Sequence, residues 1–393
     1  MHGYNRSQRK HGANNCLLFL ATILVFMLSS CDLILPHDTN KGYGKIVLVD
    51  VSLNYDKIVY PVRNLNTQRV EEYGLTLEGP LNDAADVAHS FSALASKNNT
   101  PLYIIPMNQK TLEETSEGIG DGIHDSIIND ALSPTKKHVK NLLRNLEKLD
   151  NVSNSTDISQ YCYVVGDASE DLDDFPLDLT PVGTDTPITV TDDDLVIFYY
   201  SGHGTDDGSL CLCQEFVSVT EHYRYSYRDN FLKCSDLLNC ISSIPGKKFI
   251  ILDSCFSGVA VDEDTYTTNT QNDEYDGSSI WDKLFSSATA TQYDDVYVMT
   301  ATNSTHRAGD DTDISPAHGC LTRSMDEAIG WDWKTFTGLA DDIPANDGGD
   351  ITVDSLYAST SAKFDSCYAE YYGLDNYLVV NGGREDLLLF TGL

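Results

Sequence analysis

Asp194-Leu-Val-Ile-Phe-Tyr-Tyr-Ser-Gly-His-Gly204 and Lys248-Phe-Ile-Ile-Leu-Asp-Ser-Cys-Phe-Ser-Gly258 decide how this chain is read. Each opens with an unbroken apolar run of strand length, rich in β-branched and aromatic residues, which is the pattern of a strand buried on both faces. Each run then meets a glycine-containing turn, and each turn presents one reactive side chain, His203 or Cys255. Ser235–Ile244 between them has helical spacing, so the pair reads as two parallel strands joined by a helix.

Working outward, Lys45–Ser52, Thr100–Ile105, Asp295–Thr300 and Leu387–Phe390 are further apolar runs of strand length, whereas residues 82–97, 136–149 and 321–329 carry apolar residues at helical spacing. Strands alternating with helices specify an α/β fold with a mostly parallel central sheet of about six strands, covered by helices on both faces. In such sheets chemistry gathers beyond the carboxyl ends of the strands, which is where His203 and Cys255 fall.

A free thiol has a pKa of about 8.5 and is mostly protonated at neutral pH, so a nucleophilic cysteine needs an imidazole or a positive environment beside it. His203 supplies one, or protonates the leaving amine. The glycines let the backbone turn sharply and approach a substrate closely, and the backbone N–H groups of Gly204 and Cys255 are candidate donors to an oxyanion. Taken singly, the histidine reads as a hydrogen-bonded turn residue and the cysteine as an inert buried thiol. Taken together, at two strand ends of one sheet, they read as a nucleophile and its base.

Tyr200-Ser-Gly-His-Gly204 and Asp253-Ser-Cys-Phe-Ser-Gly258 are joined, in order, by Gly79-Pro-Leu-Asn-Asp-Ala84, the strand and turn Val296–Arg307, Gly319-Cys-Leu-Thr-Arg-Ser-Met325 and the terminal Leu-Leu-Leu-Phe390. With these motifs the chain resembles the caspase-like cysteine peptidases, in particular their bacterial metacaspase-like branch. The resemblance implies peptide-bond hydrolysis through an acyl-enzyme on Cys255. It also implies an acidic pocket for an Arg or Lys before the cut, because the metacaspase pocket positions match Asp83, Ser201 and Asp253. Paired carboxylates suit the guanidinium fork through charge-assisted hydrogen bonds. The plainer readings are a helix N-terminal charge for Asp83 and a turn-ordering residue for Asp253. No Arg cluster is apparent to receive an acidic side chain instead.

The chain departs from many metacaspases in carrying Phe256 where they have a second histidine. No cofactor is required by the chemistry. Some metacaspases use calcium, and Asp236, Asp262 and Asp264 are candidate oxygen donors, although no loop has diagnostic spacing. Residues 259–294, where related enzymes cut themselves, hold a single basic residue, Lys283. Two other readings keep the same motifs: a catalytically silent surface lipoprotein that uses this fold as a binding module, and a clostripain- or legumain-like relative.

Composition bounds the partners. A hydrophobic content of 41% with 22 Tyr and 13 Phe is that of a folded body. The formal charge of -34 excludes a phosphate-backbone binder, which needs clustered Lys and Arg, so peptides or proteins with basic residues are the expected partners and nucleic acid is not.

Arg6, Arg9 and Lys10 precede the apolar run Cys16–Leu28, which is short for a membrane span, and Leu28-Ser29-Ser30-Cys31 resembles a bacterial lipobox. The expected organisation is a signal peptide over 1–30, a lipidated Cys31 holding the protein to a bacterial membrane outside the cytoplasm, a spacer over 31–43, and a peptidase domain over 44–393 with polar insertions near 108–130, 166–193 and 262–280. Losing the three basic residues of the leader leaves 23 basic against 60 acidic side chains, a net -37, so the acidity belongs to the folded domain. Disulfide pairing cannot be read from spacing in an exported chain. Cys211-x-Cys213 lacks a second pair at zinc-site spacing.

Overall fold

The computed structural model describes residues 42–55, 58–63, 70–74, 76–108, 134–146, 162–164, 188–212, 223–224, 231–260, 295–303, 305–334, 338–369, 375–382 and 386–393. The expected leader 1–30, residues 31–41 of the expected spacer, and residues 109–130, 166–187 and 262–280 of the three expected insertions lie outside them. No described helix is long and apolar enough to cross a membrane.

The central sheet contains β1 (Ile46–Ser52), β2 (Leu102–Asn108), β3 (Cys162–Val164), β4 (Leu195–Ser201), β5 (Lys247–Asp253), β6 (Val296–Thr300) and β7 (Val379–Gly382). Their order is β7-β6-β5-β4-β1-β2-β3. The first six strands run parallel, as the alternation of elements predicts, and β7 closes one edge antiparallel to β6. The terminal apolar run is a strand, Leu388–Thr391, but it pairs with Asp350–Thr352 away from this sheet.

Among the described residues, five helices flank the sheet: α1 (Pro80–Lys97), α2 (Lys136–Asn145), α3 (Cys234–Ser242), α4 (Cys320–Ile329) and α5 (Val353–Phe364). Their ends follow local chemistry. α1 starts on Pro80 with Asp83 in its first turn, where proline loses no hydrogen bond and a negative charge meets the positive end of the helix. α4 stops at Gly330, whose φ of 76° is left-handed. Thr352 and Ser355 cap the start of α5 reciprocally.

Every residue of β1 and β4 is buried. Along β4, Val196, Phe198 and Tyr200 enter one core with Val139 and Leu142 of α2 and Leu237 and Ile241 of α3. Leu195, Ile197 and Tyr199 enter the other, with Ala84, Val87 and Phe91 of α1, Leu321 and Met325 of α4 and Leu356 of α5. Burying such a side chain is worth roughly 1.5–3 kcal/mol relative to leaving it exposed. Helices on both faces are therefore why these strands are written as nearly continuous apolar runs, broken in β1 by the buried Asp50.

The same period of two sorts the residues at the carboxyl ends. Ser201 and Asp253 share parity with Tyr199 and Ile251 and point to the α1/α4 face, while Tyr200 points to the α2/α3 face.

Candidate active site

β4 and β5 end level with each other, Ser201 opposite Asp253, and β1 ends beside them with Ser52 opposite Ser201. Two residues past these ends the chain reaches His203 and Cys255. The turns are tied directly: the N–H of Gly202 donates to the Asp253 carbonyl at 3.2 Å. A Cβ on Gly204 would overlap the carbonyl oxygen of Cys255, so only glycine lets the two turns approach this closely. Phe256 sits at a left-handed φ of 56°, and its N–H donates to the His306 carbonyl at 2.8 Å, anchoring the cysteine turn to the segment that follows β6.

Cys255 is half-buried, and its Sγ lies 4.0 Å from the Ala308 carbonyl oxygen. Burial pushes the thiol above its ordinary pKa, against the opposing influence of the Ala308 backbone and the charge of Arg307. Such a thiol rests protonated at neutral pH, and a base must take its proton before attack.

Beneath the turns, on the α1/α4 face, the structure brings together the three residues nominated for the acidic pocket. Ser201 Oγ donates to Asp83 Oδ2 at 2.7 Å. Asp83 also accepts from the Gly319 N–H at 3.1 Å to each oxygen, and its Oδ1 lies 3.0 Å from His318 Nδ1. Asp253 Oδ2 accepts from the backbone N–H and the hydroxyl of Thr322 at 2.9 and 2.8 Å. Asp83, Ser201, Asp253 and His318 are all buried. A Cβ on Gly319 would overlap the Asp253 carboxylate and come within 3.0 Å of Asp83 Oδ2, so this glycine keeps the two carboxyls within reach of one group.

These carboxyls crowd one another. Burial, and then the charge of Asp83, hold the Asp253 carboxyl well above its usual range. The same two causes raise Asp310, whose Oδ2 accepts from the Glu78 N–H, to about 6. His318 meets Asp83 on one nitrogen and Asp86 Oδ2 on the other at 3.3 Å. Burial disfavours its charged form, but the hydrogen bond and charge of Asp83 and the charge of Asp86 outweigh that and raise its pKa. This buried cluster is thus rich in carboxyl groups, with one buried imidazole as their counterweight, and its charge balance favours a cation nearby.

His318, Gly319 and Thr322 fall within or next to a stretch that the resemblance placed in family order, yet nothing in their spacing announces contact with Asp83 and Asp253. Of the calcium candidates, Asp236 lies on α3 and meets Lys140 at 3.1 Å and Lys136 at 3.9 Å, while Asp262 and Asp264 lie outside the described residues. No group of three or more His, Cys, Asp or Glu side chains among the described residues is placed to hold a metal ion. Cys211 is buried and pairs through Leu210–Cys211 with Phe231–Leu232; Cys213 and Cys31 lie outside the described residues.

Compared with known proteins, residues 188–330 match the family model described as the caspase domain. The matched segment starts just before β4 and ends at the glycine that stops α4, so it contains both turns and the donors to Asp253. No curated protein matches the chain. Among solved structures it is similar to the crystal structure of caspase-1 from Spodoptera frugiperda, at 9% sequence identity over 87% of each chain with a TM-score of 0.35. The fold is caspase-like, and the segment that delivers His203 and Cys255 is similar to a domain whose family consists of cysteine peptidases.

Proposed function

We propose that this protein is a cysteine endopeptidase that cuts after Arg or Lys, with Cys255 as nucleophile and His203 as the group that takes the thiol proton and returns it to the leaving amine. The observation that carries this reading is the abutment of the Gly204 and Cys255 backbones above a buried Asp83–Ser201–Asp253 group. In the first step the sulfur attacks the carbonyl carbon and the peptide C–N bond breaks. In the second, water releases the acyl group and restores the thiol. The Gly204 and Cys255 N–H groups are proposed to stabilise the oxyanion of both steps.

Asp83 and Asp253 already accept hydrogen bonds from Ser201, His318, Gly319 and Thr322, so a guanidinium entering here takes over part of that bonding and requires residues 318–319 to give way. A scan of fluorogenic peptides varied at the residue before the cut, with and without added calcium, tests the reading. Hydrolysis after Arg and Lys is expected. Cleavage after Asp alone would remove the acidic-pocket argument and leave the dyad in place.

The address rests on the sequence of the leader. A lipid on Cys31 is proposed to hold the domain to a membrane outside the cytoplasm, and Cys31→Ser is expected to shift the protein from the detergent phase to the aqueous phase on Triton X-114 partition. An unchanged distribution would sink the anchor.

A further inference from the structure

Tyr55 lies three residues beyond the end of β1, the strand next to β4, and is fully buried on the α2/α3 face with Tyr200. Its backbone has a left-handed φ of 58°, a conformation that glycine adopts freely and a bulky aromatic residue adopts rarely. An aromatic residue in such a place points to a task for its side chain.

Both ends of that side chain meet His203. The N–H of His203 donates to the Tyr55 hydroxyl at 2.8 Å, and the Tyr55 ring lies against the His203 imidazole with centroids 4.5 Å apart at 37°. The Tyr55 hydroxyl donates in turn to the Cys211 carbonyl at 2.8 Å. Tyr200 closes the network. Its hydroxyl is 3.0 Å from that of Tyr55, and reaches the carbonyls of His203 at 2.8 Å and Cys211 at 3.0 Å. The Cys211 N–H donates to the His203 carbonyl at 3.0 Å. The backbone N–H and C=O of His203 are therefore both held by buried groups, and a Cβ on Gly202 would come within 2.6 Å of the Tyr55 hydroxyl and 2.9 Å of that of Tyr200.

We propose that Tyr55 is the positioning residue of the dyad, fixing the place of His203 through its hydroxyl and the tilt of the imidazole through its ring. The inference rests on the reading of His203 as the partner of Cys255. It deepens that reading by giving the third strand end, that of β1, a part in the reaction. Tyr55 engages His203 with both its hydroxyl and its ring. Its effect passes through the imidazole, so it falls on the chemical step and the proton transfer and leaves substrate affinity unchanged.

The test uses Tyr55→Phe, which keeps the ring and removes the hydroxyl, beside His203→Ala and Tyr368→Phe. The last variant deletes another buried phenol hydroxyl, one that bonds Arg323 away from the dyad. Three quantities are read: kcat and KM on the best basic peptide, the pH dependence of iodoacetamide alkylation at Cys255 followed by mass spectrometry, and Tm. Tyr55→Phe is expected to lower kcat about 10- to 100-fold with KM within about threefold, and to move the alkylation profile toward that of His203→Ala. Both tyrosine variants are expected to lower Tm by similar amounts, and Tyr368→Phe to leave kcat and the profile unchanged.

If His203→Ala departs from wild type in alkylation while Tyr55→Phe does not, the positioning role falls and the dyad stands. If activity falls in proportion to Tm in both tyrosine variants, Tyr55 is merely structural. If His203→Ala alkylates as wild type does, the dyad itself fails, and the role of Tyr55 with it.

Discussion

Alanine at Cys255 is expected to lower peptide hydrolysis by about 10⁴-fold or more, alanine at His203 by a comparable factor, and the double variant by no more than the worse of the two, because a nucleophile and its base act as one unit. The thiol is half-buried and held above its ordinary pKa by its surroundings, so without the imidazole little of it is ionised at neutral pH. Measurement of kcat/KM on a basic peptide, with Tm as the control for folding, decides the matter. Losses that multiply in the double variant would mean that the residues act independently, and retained hydrolysis in Cys255→Ala would place the nucleophile elsewhere. Hydrolysis missing from the wild type as well would favour the silent binding module.

Asparagine at Asp83 carries the second large effect. The substitution preserves shape but turns an acceptor of four donor contacts, from Ser201, His318 and both approaches of Gly319, into a group whose amide must face one of them as a donor. Cleavage after Arg is expected to fall about 10²-fold or more, since truncating one partner of a buried charge pair costs about 2–5 kcal/mol. Thermal stability falls too, and its pH dependence changes in a defined direction. His318 has a raised pKa in the folded protein. Its contribution to stability is complete below the unfolded value of about 6.5 and is lost as pH rises through the folded value. Removing the Asp83 charge takes away the largest cause of that rise, so the loss of Tm on going from acidic to alkaline pH is expected to be shallower in Asp83→Asn. An unchanged slope would mean that His318 is not charged by Asp83, and unchanged cleavage after Arg would remove Asp83 from the pocket.

The parts of the fold written most plainly in the sequence are those buried from both sides. β4, β5 and β6 each spell an uninterrupted apolar run, β1 spells one broken only by the buried Asp50, and the helices between them keep their period. β7 carries no comparable pattern, because Val379–Gly382 is short and pairs antiparallel at an edge. The stronger run at Leu387–Phe390 forms a strand, but it pairs with Asp350–Thr352 outside the sheet.

At the candidate site, the placement of His203 and Cys255 two residues past neighbouring strand ends is legible because each follows a buried apolar run and a glycine-containing turn. Asp83, Ser201 and Asp253 came from resemblance, and the parity of β4 and β5 then explains why the latter two face α1. Tyr55, His318 and Gly319 were not legible. Their importance depends on which strands are neighbours, and no local pattern states that β1 lies beside β4 or that the start of α4 meets the start of α1.

Those long-range meetings bear on the order in which the molecule is assembled. β1 must find β4 across an intervening loop whose ends, Lys45 and Asp194, are 149 positions apart, and Asp83 meets Gly319 across 236. Contacts this distant in sequence slow folding, because the entropy of closing the loop is lost before the pairing rewards it. A nascent chain that has emerged as far as residue 300 already holds the histidine and the cysteine, yet lacks every backbone and imidazole donor that residues 318–322 give to its two buried carboxyl groups. The two strand-end turns are thus synthesised before the segment that completes their surroundings.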